Sequence, residues 1–428
     1  LSPGGRELSG LLYCDLAGVV RGRFVPIEEV EQHLDSGIGW VPANQAVNLF
    51  GELAEPNPFG AVGDVRLRPD PETRVHVGFQ DRPPLDFLLC DAVRTDGSAW
   101  DCCARTLLID RLKVLAEETG GRLNSTFEHE FQLLADYQPG APFSLSAMRR
   151  VDWFPQHVVG ALMEAGVEPE TFLPEYGPRQ FEVPTAPAIG VRSADRSVVV
   201  REVVREVARI SGYTASFSPL CTPGGVGNGV HIHFSLVDPQ GRSVLYDGSR
   251  PGELSELGGA FAAGILEHAG ALIALTAPSG ISQERFKPHN WAASQVILGL
   301  RNREAALRIC PGSSLGGGDP WHQYNLEFRA ADAAANPYLA LAGIINAGLD
   351  GVRRGLPAPP VVEEDVEGGE PLVAGLGAAL GRLRGDGALL EGWSEDLIAT
   401  YAAVKESECR TIDGLDPDSA CELYRQAI

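Results

Sequence analysis

Residues 227–236 read GNGVHIHFSL, a glycine-rich approach that runs into a strand with polar residues at every second position. In a strand, side chains at i and i+2 share a face and stand about 6.5–7 Å apart. His231, His233 and Ser235 therefore make one polar edge. A neutral imidazole donates a lone pair to a borderline metal, and a second imidazole or a hydroxyl can hydrogen-bond a nucleotide or phosphate. Two satisfied core histidines are the competing reading of this segment alone.

Working outward, the same two-residue spacing recurs. STFEHEFQLL carries Glu128 and Glu130, with His129 expected on the opposite, structural face. Unpaired carboxylates facing a core carry a large desolvation penalty that facing cations would remove; a solvated strand face is the alternative. QYNLEFRAAD carries Glu327 and Arg329, either a local ion pair or a metal carboxylate beside a guanidinium fork suited to a substrate carboxylate. Glu175 and Glu182 in PEYGPRQFEV add carboxylates across a turn. Five carboxylates and one or two imidazoles exceed the needs of one divalent cation and point to a polynuclear magnesium or manganese site.

Arg285, Arg303, Arg308 and Arg329 supply the basic counterpart, with Arg303 and Arg308 in NREAALR as phosphate-binding candidates or surface ion-pair partners. PGGVGNGVH, residues 223–231, has four glycines but neither a GKS/T ending nor GxGxxG before a helix. It lets backbone approach a ligand.

The chain of 428 residues has 57 acidic and 35 basic residues, a net charge of −22 and a pI near 4.8. That sign repels nucleic-acid backbones and anionic membranes, so no nucleic acid and no membrane is expected as a partner. It leaves phosphorylated small molecules open, because bound divalent cations reverse the sign inside one pocket. Eight cysteines without a CxxC pair fit a reducing cytoplasmic setting. The amino terminus lacks a basic region followed by an apolar run, and the apolar stretch 261–278 contains Glu267 and His268.

The pattern is α+β. Two strands are expected within 8–26, joined near Ala17-Gly18, and two more at 85–90 and 99–103. Helices are expected at 104–118, 153–164, 196–210, 253–276, 333–354 and 394–409, with strands at 125–134, 180–183, 215–218, 229–236, 305–310 and 323–330. Strands and helices alternate too irregularly for a doubly wound sheet. The domains expected are 1–100, small and mostly β, and 101–428.

PEYGPRQFEV, GNGVHIHFSL, SQERFKPHNWA, NREAALRI and LEFRAADAAANPYLALAGIINAGLDGV together resemble the glutamine synthetase family over nearly the whole chain. The resemblance implies a β-grasp-like amino-terminal domain, a larger catalytic domain with a curved antiparallel sheet flanked by helices, and stacked rings of ten or twelve subunits with shared active sites. It implies ATP as co-substrate and two or more Mg2+ or Mn2+ per site. By position, Glu130, Glu175 and Glu182 match ligands of one metal, and Glu128, His231 and Glu327 those of another. His233 and Ser235 match nucleotide contacts, with Arg308 shared between nucleotide and transferred phosphate. Arg303 matches a phosphate-handling position, Arg285 and Arg329 match amino-acid substrate contacts, and Gly227 a backbone that helps hold glutamate. The implied reaction passes through a γ-glutamyl phosphate that an amine then attacks.

Several residues depart from the pattern. Ungapped counting from Arg285 to Arg303 places Trp291 where the family has a flap glutamate that handles ammonium. An indole accepts no proton but stacks on an alkyl or aryl group. Asp35 in DSGIGW is a poor match to the ammonium-site aspartate. Arg179 stands for a glycine, Val226 for an asparagine and His322 for a lysine, and 355–400 has no tyrosine to accept an adenylyl group. The expectation is a ligase joining glutamate to an organic primary amine. The alternatives are an ordinary glutamine synthetase using ammonium and a non-catalytic ring-forming or regulatory homologue.

Overall fold

The polar alternation of GNGVHIHFSL is realised as the strand Val230–Val237, in a computed structural model that describes residues 5–287, 292–313, 315–364, 371–372 and 375–428. Val230, Ile232, Phe234 and Leu236 are buried in the core, which leaves the opposite face to the histidines. This strand lies at the middle of a ten-stranded sheet. On one side it pairs antiparallel with Arg122–Leu134, which pairs in turn with Gln180–Val183 and then Leu173–Pro174. On the other side come Asn325–Phe328 and Ala305–Cys310, also antiparallel. At the far edge Gln295–Leu300 runs parallel to both Ala305–Cys310 and Val361–Val362. The sheet is therefore antiparallel through its centre, as expected, and parallel at this edge.

The amino-terminal sheet has six strands, in the order Val20–Pro26, Leu8–Cys14, Arg82–Arg94, Val65–Pro69 and Ile38–Trp40, with Val75–Phe79 also on Arg82–Arg94. Leu8–Cys14 and Arg82–Arg94 run parallel at its centre. The first hairpin turns at Gly18, whose φ of +82° favours glycine. A Cβ there would also lie 3.2 Å from the carbonyl of Ala334, so the turn packs directly on the segment that follows Arg329. The expected strand at 99–103 reduces to one bridge between Ala99 and Val93.

The helix Arg192–Ile210 buries Val198, Val200, Val203, Val204 and Val207. His129 reaches its Ser197 across a 2.9 Å hydrogen bond, so this helix backs the sheet behind the polar face. Pro337–Arg354 starts at Asn336, whose side chain accepts from the N–H groups of Tyr338 and Leu339, and ends at left-handed Gly355. Its Gly351 meets Gly264 of Glu256–Glu267 so closely that a Cβ on either would lie 2.1 Å from a carbonyl oxygen. The helix expected at 253–276 breaks at His268 into Glu256–Glu267 and Ala269–Thr276, bent by 75°. Both imidazole nitrogens of His268 are engaged by carboxylates, Asp386 at 2.6 Å and Asp350 at 3.0 Å, and this bridge holds the bend. Among the described residues no single helix is long and apolar enough to cross a membrane.

Arg105 ties the two sheets together. Its guanidinium is buried and donates to Asp70 and Asp91 at 2.7 and 2.9 Å and to Asp195 at 2.9 and 3.0 Å. Asp195 also accepts from the Tyr338 hydroxyl at 2.7 Å.

Candidate active site

Strand register assembles the polar wall. Glu128 lies opposite His231, Glu130 opposite Glu182, His233 opposite Glu327, and Glu327 opposite Arg308. Directly opposed residues in an antiparallel pair share a face. These residues therefore form one band across five strands, while Phe127, His129 and Phe131 point into the core behind it.

Glu128 Oε2 lies 3.3 Å from His233 Nε2 and 3.6 Å from His231 Nδ1. Glu327 Oε1 lies 3.6 and 3.7 Å from the same two nitrogens. Glu327, 1 % exposed, pairs with Arg308 at 2.5 Å and contacts Arg329. Ligand atoms of Glu128, His233 and Glu327 lie within 4.8 Å of one another, as do those of Glu128, Glu182 and His231. The family-based partition had placed Glu182 with Glu130 and Glu175, and His233 with nucleotide. In the structure Glu130 Oε2 accepts from Gly229 N–H at 2.8 Å and Gln180 Nε2 at 3.2 Å, and neither Glu130 nor Glu175 belongs to either cluster.

The electrostatics of this band are unbalanced. Burial, then the charges of Glu128 and Glu130, push the Glu182 carboxyl up to about 10. Burial also raises Glu175, reinforced by Glu130. Burial works against the Glu128 carboxylate, yet the neighbouring His231 and His233 imidazoles outweigh it and hold the group well below the usual range. Glu327 is also lowered, burial being overcome by Arg329 first and then by His231, His233 and Arg308. Carboxylates crowded enough to share a proton are what a divalent cation relieves. His233 Nδ1 lies 2.9 Å from Asn325 Oδ1, and its buried Nε2 has no hydrogen-bond partner. If Nδ1–H donates to Asn325, the Nε2 lone pair is free for a metal. The donor set fits a divalent cation.

The expected substrate and nucleotide residues are placed unequally. Arg285 is buried, donates to Ala331 O at 3.0 Å and pairs with Asp332 at 3.4 Å. Its stem passes so close to Gly227 that a Cβ there would lie 2.5 Å from Arg285 Cγ, and at Gly229 one would lie 2.7 Å from its Nη2. The Gly227 carbonyl accepts from Gln180 at 2.9 Å. Arg329 Nε donates to the Arg303 carbonyl at 3.0 Å, whereas the Arg303 side chain is exposed. Ser235 is buried and shares a 2.6 Å hydrogen bond with Ser243. His322 is exposed beside Asp319 at 3.0 Å. Arg179 has a φ of +57°, which accounts for glycine elsewhere, and donates to Tyr137 O at 3.0 Å. Asp35 is exposed. Trp291 lies outside the described residues.

Two residues at the site escaped the sequence reading. Cys310 Sγ lies 3.3 Å from Arg308 Nη2, 3.6 Å from Glu327 Oε2 and 3.9 Å from His233 Nδ1, and Asn325 orients His233. Each stands two residues from a site residue on its own strand, Cys310 from Arg308 and Asn325 from Glu327, so the spacing rule reaches both once neutral side chains are included. His129, buried behind the wall, is held well below the ordinary histidine value by burial first and then by Arg201 and Arg205.

Residues 5–100 match the model of the glutamine synthetase N-terminal domain, and 101–420 that of the glutamine synthetase catalytic domain. Among curated relatives, the gamma-glutamylpolyamine synthetase GlnA3 of Streptomyces coelicolor is 32% identical, covering 97% of this chain and 92% of that protein. The glutamine synthetase of Thermus thermophilus is 30% identical over 82% and 78%. A solved structure of a novel glutamine synthase homolog superposes with a TM-score of 0.93 at 46% identity, covering 100% of both chains. A GmaS complex with ADP does so with a TM-score of 0.81 at 25% identity, covering 97% and 96%.

Proposed function

The chain belongs to the glutamine synthetase family, and from that membership we propose that it is an ATP-dependent carbon–nitrogen ligase that joins glutamate to an organic primary amine as a γ-glutamyl amide. The observation that carries the reading is the band of Glu182, Glu128, His231, His233 and Glu327 flanked by Arg308 and Arg329. It combines a polycarboxylate cation site with guanidinium groups suited to phosphate and carboxylate.

Glu128, Glu130, Glu175, Glu182, His231 and Glu327, with His233 beside them, would hold two or more Mg2+ or Mn2+ ions. Bound there, the cations supply charge neutralisation to the phosphates of ATP and to the oxygens of the transferred group. In the first step a γ-carboxylate oxygen of glutamate attacks the γ-phosphorus of ATP, the bridging P–O bond breaks, and ADP leaves. In the second, the amine nitrogen attacks the acyl carbon, the C–O bond to phosphate breaks, and the amine proton is lost. Carboxylate oxygen is a poor leaving group, and phosphorylation replaces one difficult displacement by two easier ones. Arg308 and Arg303 steady charge on the phosphoryl group, Arg285 and Arg329 with the Gly227 backbone position the amino acid, and His233 and Ser235 meet the nucleotide.

Trp291 sets the acceptor. An indole in place of a carboxylate removes a proton acceptor and an anionic ammonium site, and offers stacking or cation–π attraction to a substituted amine. One relative supports an acceptor beyond ammonium: GlnA3, a gamma-glutamylpolyamine synthetase. Self-association into stacked rings of ten or twelve with shared active sites, and residence in the cytoplasm, complete the proposal. The eight cysteines, all unpaired, support the latter.

The test is phosphate release with ATP, glutamate and Mg2+ or Mn2+ against ammonium, ethanolamine, alkylamines, aromatic amines and polyamines, with product mass. An organic amine should give the highest kcat/KM and a γ-glutamyl amide. Ammonium as best acceptor would identify an ordinary glutamine synthetase, and no turnover with any acceptor a non-catalytic homologue.

A further inference from the structure

The Arg285 side chain reaches the polar wall through a gap that two glycines leave open. A Cβ at Gly227 would lie 2.5 Å from its Cγ, and one at Gly229 would lie 2.7 Å from its Nη2, 3.3 Å from His231 Nε2 and 3.6 Å from Glu130 Oε1. The Nη2 end of the guanidinium therefore sits among the side chains that form the site. Its Nη1 is tied to the segment after Arg329, donating to Ala331 O at 3.0 Å and to Asp332 Oδ2 at 3.4 Å.

The Asp332 side chain has no exposed surface, and its two oxygens are divided. Oδ2 takes Arg285, while Oδ1 accepts from the Ala334 N–H at 3.1 Å. Ser282, three residues before Arg285, adds a hydrogen bond from its hydroxyl to the carboxylate, and its Oγ shares a 2.7 Å hydrogen bond with Ser279. Asp332 thus grips both the guanidinium and the short turn Ser282–Arg285 from which it springs. Burial raises the Asp332 carboxyl, and Arg285 is the first of the groups that oppose the rise. Lys405, the other cation that opposes it, is itself paired with Glu408 at 3.0 Å. A guanidinium is a planar fork, so the direction in which it offers its donors decides how well it meets a carboxylate. Anchoring one end by a buried partner leaves the other end preorganised.

We propose that Asp332 is the positioning residue of Arg285: by holding Nη1 it aims the guanidinium at the amino-acid carboxylate and so sets how tightly glutamate binds, which rests on the reading of Arg285 as a contact for that substrate. With no exposed surface, Asp332 itself touches neither substrate nor nucleotide.

The test is steady-state phosphate release by the whole protein with Mg2+, ATP and the best amine of the wild type, comparing wild type with Asp332→Asn, whose Oδ1 still accepts from the Ala334 N–H. Expected is a KM for glutamate raised about tenfold or more, the scale of a hydrogen bond to a charged group. The KM for ATP should stay within about twofold of wild type, the range of a neutral substitution, and kcat should fall by less than the glutamate KM rises. Equal losses toward glutamate and ATP would mark a purely structural carboxylate, and unchanged constants for both an idle one; either result overturns the inference while the ligase reading stands. A wild type that releases no phosphate in response to glutamate overturns that reading and the inference with it. Should Asp332→Asn fail to fold, Ser282→Ala removes one hydroxyl that holds the carboxylate. A raised glutamate KM at an unchanged ATP KM in that variant supports the inference, and an unmoved glutamate KM rejects it.

Discussion

Glu327 stands at the point where His231, His233, Arg308 and Arg329 converge. Removing its carboxylate leaves two guanidinium groups facing each other and deletes one arm of a cation site. Glu327→Ala is expected to lower kcat at least about 10³-fold, the scale of losing a key electrostatic group, and to weaken Mn2+ binding in titration calorimetry. Wild-type turnover in this variant would remove Glu327 from the site. Glu182 makes a complementary prediction, because burial and the charges of Glu128 and Glu130 disfavour its ionised form. In EDTA, Glu182→Gln should melt above the wild type, and with saturating Mn2+ the order should reverse. Two parallel melting series, one with EDTA and one with Mn2+, decide it; the same ranking in both would contradict a ligand role. The charged pairs were legible in the sequence because a strand has a period of two, so Glu128 and Glu130, or His231 and His233, declare a shared face by spacing alone. Cys310 and Asn325 were not, because a neutral residue on such a face carries no charge to mark it.

At the scale of elements, the break at His268 shows where local pattern fails. The run 256–276 is largely apolar and helix-compatible. What divides it is a pair of carboxylates from residues 350 and 386, distant in sequence. The hydrogen bond that His268 donates to Asp386, then burial opposing it, then Asp350 leave the His268 value raised above the ordinary 6.5. A raised folded value means that protonation favours the native state. The stabilisation is fully present below about pH 6.5, the ordinary histidine value, and is lost as pH rises through the folded value. The difference in thermal midpoint between wild type and His268→Gln should therefore be larger at pH 6 than at pH 9. A difference independent of pH would show that the bridge is not titrating. Strand order was equally hidden: nothing local in residues 325–328 says that they lie between 230–237 and 305–310.

Across the whole molecule, the amino-terminal sheet is held to the larger one by a few polar clamps set in a continuous apolar core. Arg105 is the most heavily engaged, with Asp70, Asp91 and Asp195 around it. Arg105→Met should destabilise the chain by about 3–5 kcal/mol, the usual cost of stranding buried partners, read as a fall in denaturation midpoint. A change within about 0.5 kcal/mol, typical of a surface substitution, would show that the clamp is dispensable. The α+β class and most helices were readable from periodicity, since a long amphipathic segment needs only its own residues to declare itself. The mixed edge of the large sheet was not, because parallel pairing is set by how distant segments return.

The claim on which turnover depends is that separated carboxylates and imidazoles gather cations around a nucleotide. Crystals grown with MnCl2 and a non-hydrolysable ATP analogue, measured at the manganese edge, address it directly. At least two anomalous peaks bounded by Glu128, Glu130, Glu175, Glu182, His231 and Glu327 are expected, with triphosphate density beside Arg308. Manganese-free density along that band, with no nucleotide next to it, would mean that these side chains gather no cations.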